Sequence, residues 1–146
     1  MDKHEKLKIL FLCTGNSCRS QMAEGWANSL KGDRIEAFSA GVNPCVVSSR
    51  AISAMAEAGV DISGHYSKHV DDLCRIEFDY VVTVCDNAKE HCPIFSGKAK
   101  VVHRKFDDPS GTIGTAREVA AEFSRVRDEI RRFVETLPEG LETLDR

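Results

Sequence analysis

Apolar residues along this chain occur in short continuous runs separated by longer amphipathic stretches. The runs at residues 9–12 and 78–85 are typical of buried parallel strands, because a strand covered on both faces carries few polar side chains. Residues 35–41 alternate apolar and polar positions and predict another strand. Val101 and Val102 mark a shorter one. The pattern therefore predicts a sheet of about four strands.

The amphipathic stretches predict helices between the strands. The first helix carries its apolar side chains on one face, at Ala23, Trp26, Ala27 and Leu30. Ser20 is predicted to be its N-cap. The other helices are predicted over residues 48–59, 70–74 and 115–137, with Pro138 ending the last one. Strands that alternate with helices indicate an α/β protein with a parallel, helix-covered sheet.

One loop combines the features of an anion-binding site. It joins the first strand to the first helix and reads Cys13-Thr14-Gly15-Asn16-Ser17-Cys18-Arg19-Ser20. Gly15 and Asn16 tolerate unusual backbone conformations, so successive N–H groups of the turn can point inward at the start of the helix. Arg19 adds a planar guanidinium that suits a tetrahedral oxyanion. The positive field is expected to lower the pKa of the Cys13 thiol, whose thiolate is a nucleophile.

Length, composition and charge limit the class of protein. The 146 residues suit a single domain, residues 1–146. The content of hydrophobic residues is 42% and that of charged residues is 29%, and both values are ordinary for a globular protein. A net charge of −3 and a pI of about 6.0 argue against nonspecific binding of nucleic acid. The polar N-terminus resembles neither a signal nor a membrane segment, which favours a cytoplasmic protein with six reduced cysteines.

The loop and its setting resemble the signature of the low-molecular-weight protein tyrosine phosphatase superfamily, which is Cys, five residues, Arg and Ser between a strand and a helix. The longer stretch from Cys13 to Glu24 is similar to the arsenate reductase branch, which thioredoxin recharges. The resemblance spans nearly the whole chain. It implies a three-layer α/β fold whose four-stranded parallel sheet has strand order 2-1-3-4. It also implies reduction of arsenate to arsenite for arsenic detoxification, with no tightly bound cofactor.

The same resemblance implies roles for particular side chains. Cys13 is expected to be the nucleophile, and Asp108, directly before Pro109, the general acid. Cys85 and Cys92 are expected to form the redox shuttle, because their separation matches that of the two shuttle cysteines of the reductases. The oxyanion is expected to be held by Thr14, Gly15, Asn16, Ser17, Cys18, Arg19 and Ser20. Asp107 is either a helper of the acid or a structural turn residue.

Three alternatives remain open from the residues. A phosphotyrosine phosphatase would share Cys13, Arg19 and Asp108, but it usually carries aromatic residues after Asp-Pro, where this chain has Ser110-Gly111-Thr112. A non-catalytic sensor of arsenicals or metals would use the cysteines as ligands and would need no general acid. A zinc site would have a spacing unlike the common short ligand pairs, and its ligands would be Cys85, Cys92, His91 and His103.

A cation site behind the loop is a further question. The resemblance matches Asn16, Glu24 and Ser39 to positions that hold a potassium ion in some relatives, where an aspartate completes the site. Here Lys68 stands at the place of that aspartate, and a lysine cannot ligate a cation. Either the Lys68 ammonium takes the place of the ion, or Lys68 is an ordinary exposed lysine.

The remaining cysteines receive simpler interpretations. Cys18 is expected to be a loop thiol of some reactivity without an evident partner. Cys45 is expected in a surface loop, and Cys74 is expected in the core at the end of a short helix.

Overall fold

Within residues 5–95 and 97–145, which the computed structural model describes, four parallel strands form one sheet in the order β2-β1-β3-β4. The strands are β1 Leu7–Cys13, β2 Ile35–Gly41, β3 Tyr80–Thr83 and β4 Lys100–His103. The helices that follow them in turn are α1 Arg19–Leu30, α2 Ser49–Glu57, α3 Asp86–Glu90 and α4 Ala116–Glu135. Single turns of 3-10 helix lie at Val70–Leu73, Pro109–Gly111 and Glu139–Thr143. The predicted α/β class and the predicted strand order are confirmed.

The central strand β1 places the start of the loop at the carboxyl edge of the sheet. Its partner on one side is β2, paired from Leu7 with Ile35 to Cys13 with Gly41. On the other side β1 pairs with β3, from Ile9 with Tyr80 onward. Ligands of open parallel sheets bind at this edge, so the register brings Cys13 to the expected position.

Strand β3 is shorter than the predicted range of 78–85. Its ladder with β1 ends at Thr83, although the Val84 N–H still donates to the Leu12 carbonyl at 2.9 Å. Cys85 then leaves the sheet, because it serves as the N-cap of α3. Cys85 therefore lies just beyond the strand end, next to the loop that follows β1.

The core is built between the sheet and the amphipathic helices. The apolar stripe predicted for the last helix is buried on α4, at Val119, Phe123, Val126, Ile130, Phe133 and Val134. Thr115 and Glu118 form a capping box at its start, and the helix ends at Glu135, two residues earlier than predicted. Trp26 of α1 is 2% exposed, and its indole N–H donates to the Arg127 carbonyl of α4 at 3.2 Å. This packing fixes α1, and with it the end of the loop.

Two predictions about helix ends are wrong. Ser20 is not the N-cap of α1, since the helix begins at Arg19 with Cys18 as its N-cap, and the Ser20 hydroxyl is used elsewhere. Cys74 is exposed rather than in the core, because the short helix is one 3-10 turn whose buried contact is Val70. In the described part of the chain, no helix has the length and apolar character to cross a membrane.

Candidate active site

The loop between β1 and α1 is held by a close backbone approach and by one buried asparagine. A Cβ atom at Gly41 of β2 would lie 2.5 Å from the Thr14 carbonyl oxygen, so only glycine allows the two backbones this near. Asn16 has φ of 49°, the left-handed conformation expected for it. Its side chain is 0% exposed, donates to the Ser20 hydroxyl at 2.8 Å and accepts the Lys68 N–H at 2.9 Å. The loop is therefore preorganised.

The Cys13 sulfur lies at the floor of this loop and is 3% exposed. It is 2.8 Å from the Ser20 hydroxyl and accepts the Asn16 N–H at 3.2 Å. Because Ser20 Oγ accepts from the Asn16 amide, its own proton is available to the sulfur. The Ser20 hydroxyl thus hydrogen-bonds to the sulfur of the nucleophile and does not cap the helix.

The expected lowering of the Cys13 pKa is contradicted by the burial of its sulfur. Burial raises the pKa of the Cys13 thiol above its ordinary value, because a thiolate loses solvation in a closed site. The hydrogen bonds from Ser20 and Asn16 and the charge of Arg19 lower that pKa, but by less. The pKa of the buried Cys18 thiol is also raised by burial, so Cys18 is a poor nucleophile.

A cavity of about 190 Å³ opens above Cys13. Its lining comes from the loop and from two flanking segments: Cys13, Thr14, Gly15, Ser17, Cys18, Arg19, Cys45, Asp108 and Ser110. Asn16 and Ser20, which were predicted among the oxyanion-binding residues, have their side chains beneath the loop, where they support it. Cys45 is exposed, as predicted, but it also lines the cavity, a position that its loop sequence did not reveal.

Arg19 and Asp108 face each other across this cavity. The Arg19 guanidinium is 3.5 Å from the Asp108 carboxylate and also donates to the Phe106 carbonyl at 3.2 Å. Asp108 accepts the Ser110 N–H at 3.0 Å, which holds the turn after Pro109. Asp107 is instead paired with Arg125 of α4 at 3.1 Å, which favours the structural role for that residue. The arrangement combines an anion-binding group with a carboxyl that faces the same space.

Cys85 lies at the edge of the loop. It is 5% exposed, its sulfur is 3.3 Å from the Thr14 hydroxyl, and it accepts the Ala88 N–H of α3 at 3.4 Å. Cys92 follows the far end of α3, is half-buried, and lines a separate cavity of about 370 Å³ together with Pro93, Ile94 and Phe95. Both residues are thiols in this structure. Helix α3 thus lies between a thiol at the loop and a second thiol.

Other residues around these thiols could not be identified from the sequence. The Asn87 amide donates to the Thr14 hydroxyl at 2.9 Å, a contact between residues 73 positions apart. The Asp86 carboxylate is 3.0 Å from the Lys105 ammonium, which lowers the pKa of Asp86, and 3.3 Å from His103. The hypothetical zinc ligands His91 and His103 contact the Asn87 carbonyl and Thr83 with their Nδ1 atoms. Among the described residues, no group of three or more candidate ligands is placed to hold a metal ion.

The side chains matched to a cation site are engaged in hydrogen bonds within the protein. Ser39 donates a short hydrogen bond to the Glu24 carboxylate, and the side-chain oxygen of Asn16 accepts from the Lys68 backbone N–H. The Lys68 ammonium donates to the Tyr66 carbonyl at 3.0 Å and lies 4.6 Å from the centre of the Tyr66 ring. Burial lowers the pKa of Lys68, while the charge of Glu24 raises it. The matched oxygens are thus engaged within the protein, whereas a potassium ion needs several oxygens that are free to ligate it.

Comparison with known proteins adds independent findings. Residues 8–146 match the family model of the low molecular weight phosphotyrosine protein phosphatases. Arsenate reductase 2 of Staphylococcus epidermidis is 45% identical over 132 residues, which cover 90% of this chain and 96% of that protein. Arsenate reductase of Halalkalibacterium halodurans is 46% identical over 134 residues, which cover 92% and 96%. A solved arsenate reductase in the phosphate binding state superposes with a TM-score of 0.71 at 31% identity, over 92% of this chain and 98% of that one.

Proposed function

The chain belongs to the low molecular weight phosphotyrosine protein phosphatase family, and from that premise we propose that it is an arsenate reductase that uses a relay of three thiols. The observation that carries this proposal is the Cys85 sulfur, 3.3 Å from the Thr14 hydroxyl of the oxyanion loop. A phosphatase needs the nucleophile, the arginine and the acid, but no second thiol at this place. A reductase needs that thiol, because two electrons must pass from sulfur to arsenic.

The substrate is a tetrahedral oxyanion bound above Cys13. Arsenate and phosphate share shape and charge, so one loop receives either of them. The cavity offers the Arg19 guanidinium and the loop amides to the oxygens, while Ser17 and Thr14 line its side. The phosphate binding state of the related arsenate reductase supports this placement.

In the first step the Cys13 thiolate attacks arsenic. A bond forms between sulfur and arsenic, and a bond from arsenic to one oxygen breaks. Asp108, which is protonated at that moment, gives its proton to the departing hydroxyl, which leaves as water. Arg19 lies 3.5 Å from the Asp108 carboxylate, and once Asp108 is protonated the guanidinium can pair with the bound anion instead. Arsenic remains pentavalent after this step.

In the second step the Cys85 thiolate attacks the Cys13 sulfur. A disulfide bond forms between the two sulfurs and the bond from sulfur to arsenic breaks. The electron pair of the broken bond stays on arsenic, which becomes trivalent and leaves as arsenite. The position of Cys85 beside Thr14, the residue after Cys13, suits this attack.

In the third step Cys92 attacks Cys85. The Cys13 thiolate is released, and the oxidised enzyme carries a disulfide between Cys85 and Cys92. Thioredoxin then reduces that disulfide with its own dithiol. We place this cycle in the cytoplasm, where thioredoxin keeps thiols reduced.

The experiment that tests the proposal measures arsenite production from arsenate with thioredoxin, thioredoxin reductase and NADPH. We expect arsenite to form in proportion to the NADPH consumed, and we expect Cys85→Ser to stop it. Hydrolysis of a phosphotyrosine analogue that persists in Cys85→Ser, together with no arsenite from the unmodified protein, would favour the phosphatase alternative. Stoichiometric uptake of arsenicals without turnover would favour the sensor.

We also propose that the Lys68 ammonium replaces the cation of some relatives. It stands where those relatives have an aspartate, and its charge interacts with Glu24 at the back of the loop. Its backbone N–H holds the side chain of Asn16 at the same time. The support of the loop is in this way supplied by the chain itself.

A further inference from the structure

The hydroxyl of Thr14 contacts two side chains at the start of helix α3. The Asn87 side-chain amide lies 2.9 Å from Thr14 Oγ1, and the Cys85 sulfur lies 3.3 Å from the same oxygen. Thr14 itself directly follows Cys13 in the chain. Asn87 is thus linked to the Cys85 sulfur through the hydroxyl of Thr14.

The chemistry of these groups determines which of them donates and which accepts in the two hydrogen bonds. An amide nitrogen only donates, so the Thr14 oxygen accepts from Asn87. The hydroxyl of Thr14 has one proton, and with a lone pair engaged by Asn87 that proton is available to the Cys85 sulfur. The Ala88 N–H supplies a second hydrogen bond to the same sulfur at 3.4 Å. Hydrogen bonds to the charged form of a thiol favour the thiolate.

We propose that Asn87 is a positioning residue for the second thiol step of the reductase proposed above: its amide orients the Thr14 hydroxyl toward Cys85 and thereby favours the attacking thiolate. The inference rests on the proposed function. Asn87 is not among the residues that line the oxyanion cavity, and its side chain reaches that cavity through Thr14.

The position of Asn87 ties this arrangement to helix α3. Asn87 and Ala88 are consecutive residues in the first turn of the helix, and each contributes one of the hydrogen bonds that reach the sulfur, directly or through Thr14. One turn of a five-residue helix therefore prepares Cys85 for attack. The charged group beside it, Asp86, is held separately by Lys105 and His103.

Two substitutions at this position separate the proposed role from simple packing. Asn87→Asp replaces the donor by an acceptor, so the Thr14 hydroxyl would turn its proton toward the new carboxylate and away from Cys85. Asn87→Ala removes the donor without adding charge. Lys89→Gln is the matched control, since it changes the net charge by the same amount as Asn87→Asp at another exposed position of α3.

The first measurement is alkylation of Cys85 by iodoacetamide across a range of pH, in a Cys13→Ser background, with the adduct located by mass spectrometry. We expect both Asn87 variants to react about ten-fold more slowly at neutral pH, the value for one lost hydrogen bond to a charged group, and to match the parent at high pH. Lys89→Gln should follow the parent throughout. Equal rates in all variants at neutral pH would overturn the proposal.

The second measurement is single-turnover release of arsenite without thioredoxin, in proteins that retain Cys13. The Asn87 variants should release arsenite about ten-fold more slowly while binding inorganic phosphate as the parent does. In a Thr14→Val background, Asn87→Ala should add no further slowing, because its partner is gone. Additive slowing in that double variant, or faster alkylation at every pH from a loosened helix, would show a merely structural role.

These two measurements also separate this inference from the proposed function. If the unmodified protein releases no arsenite, the proposed function fails. The alkylation of Cys85 does not depend on arsenate, so it still reports whether Asn87 prepares the thiol.

Discussion

The oxyanion loop, residues 13–20, and the redox segment, residues 85–95, are neighbours that are held in opposite ways. In the loop, Asn16 and Ser20 are 0% exposed and are linked by a side-chain hydrogen bond to each other. In the redox segment most side chains are exposed, Ala88 is the buried anchor of α3, and Ile94 is 100% exposed. Two side-chain hydrogen bonds connect the two regions, and both are made by the Thr14 hydroxyl.

The difference follows from the two kinds of chemistry. Binding an oxyanion requires dipoles that are already aimed at it, so the loop is rigid and buried. A relay of thiols requires one sulfur to meet two partners in succession. A disulfide needs Cα atoms about 4.4–6.8 Å apart, whereas a helix over seven positions would span about 10 Å, and α3 covers residues 86–90 of the 86–91 stretch between the two cysteines. We therefore expect the redox segment to change shape on oxidation, and its few apolar contacts make that change inexpensive.

The largest effect is expected for the nucleophile of the rigid region. Cys13→Ser should reduce arsenate reduction to background, because a serine hydroxyl stays protonated in the same site. Binding of inorganic phosphate should persist, since Arg19 and the loop amides are unchanged. Cys74→Ser, at an exposed thiol far along the chain, is the control and should retain full activity. Sustained turnover in Cys13→Ser would contradict the assignment.

A different kind of failure is expected in the redox segment. Cys92→Ser should complete at most one turnover with thioredoxin, because the enzyme then stops with a disulfide between Cys13 and Cys85. Mass spectrometry of the stopped protein identifies that bond. Continued turnover with thioredoxin would show that Cys92 is not the last thiol of the relay.

The contrast in rigidity can be tested by hydrogen exchange on the reduced and oxidised proteins. We expect amides of residues 86–95 to lose most of their protection when the disulfide between Cys85 and Cys92 forms. Amides of residues 13–20 should keep theirs, because their anchors lie outside the redox segment. Equal protection of the redox segment in both states, with the disulfide confirmed by mass spectrometry, would contradict the expected rearrangement of this segment.

The parts of the site predicted from sequence are those with a local signal. The strand before the loop, the positive φ of Asn16 and the arginine of the signature are properties of neighbouring residues. The stripe on α4 is likewise a periodic pattern in one segment. The parallel sheet follows from the alternation of strands and helices, and its strand order was implied by the resemblance to the phosphatase family.

The parts that were missed depend on contacts across the fold. Ser20 looked like a helix cap because its residue type favours caps, but its hydroxyl is taken by Asn16 and Cys13. The rise of the Cys13 pKa depends on burial, which no local pattern reveals. The contact between Asn87 and Thr14 joins residues 73 positions apart, and neither residue carries a periodic signal.

A smaller effect is expected when the support beneath Cys13 is weakened. Ser20→Ala removes a hydrogen bond that lowers the pKa of the Cys13 thiol, so that pKa rises further. Less thiolate is then present at neutral pH, and the first step should slow about ten-fold, the value for a hydrogen bond to a charged group. The deficit should shrink as pH rises, because the thiolate of the variant then forms. Ser29→Ala, exposed on the same helix, is the control. A deficit that is constant with pH would assign Ser20 a structural role instead.

The smallest effect is expected at the back of the loop. Lys68→Ala removes the hydrogen bond of the ammonium to the Tyr66 carbonyl and its contact with the Tyr66 ring, and since this lysine is only half-buried the loss should be about 1 kcal/mol, or roughly 3 °C in melting temperature. Added potassium should restore part of it, because the charge of the ion can then take the place of the ammonium charge near Glu24. Lys98→Ala, at an exposed lysine, should melt like the parent with and without potassium. If Lys68→Ala also does so, Lys68 is an ordinary surface residue, and the rigidity of the loop rests on Asn16 and its neighbours alone.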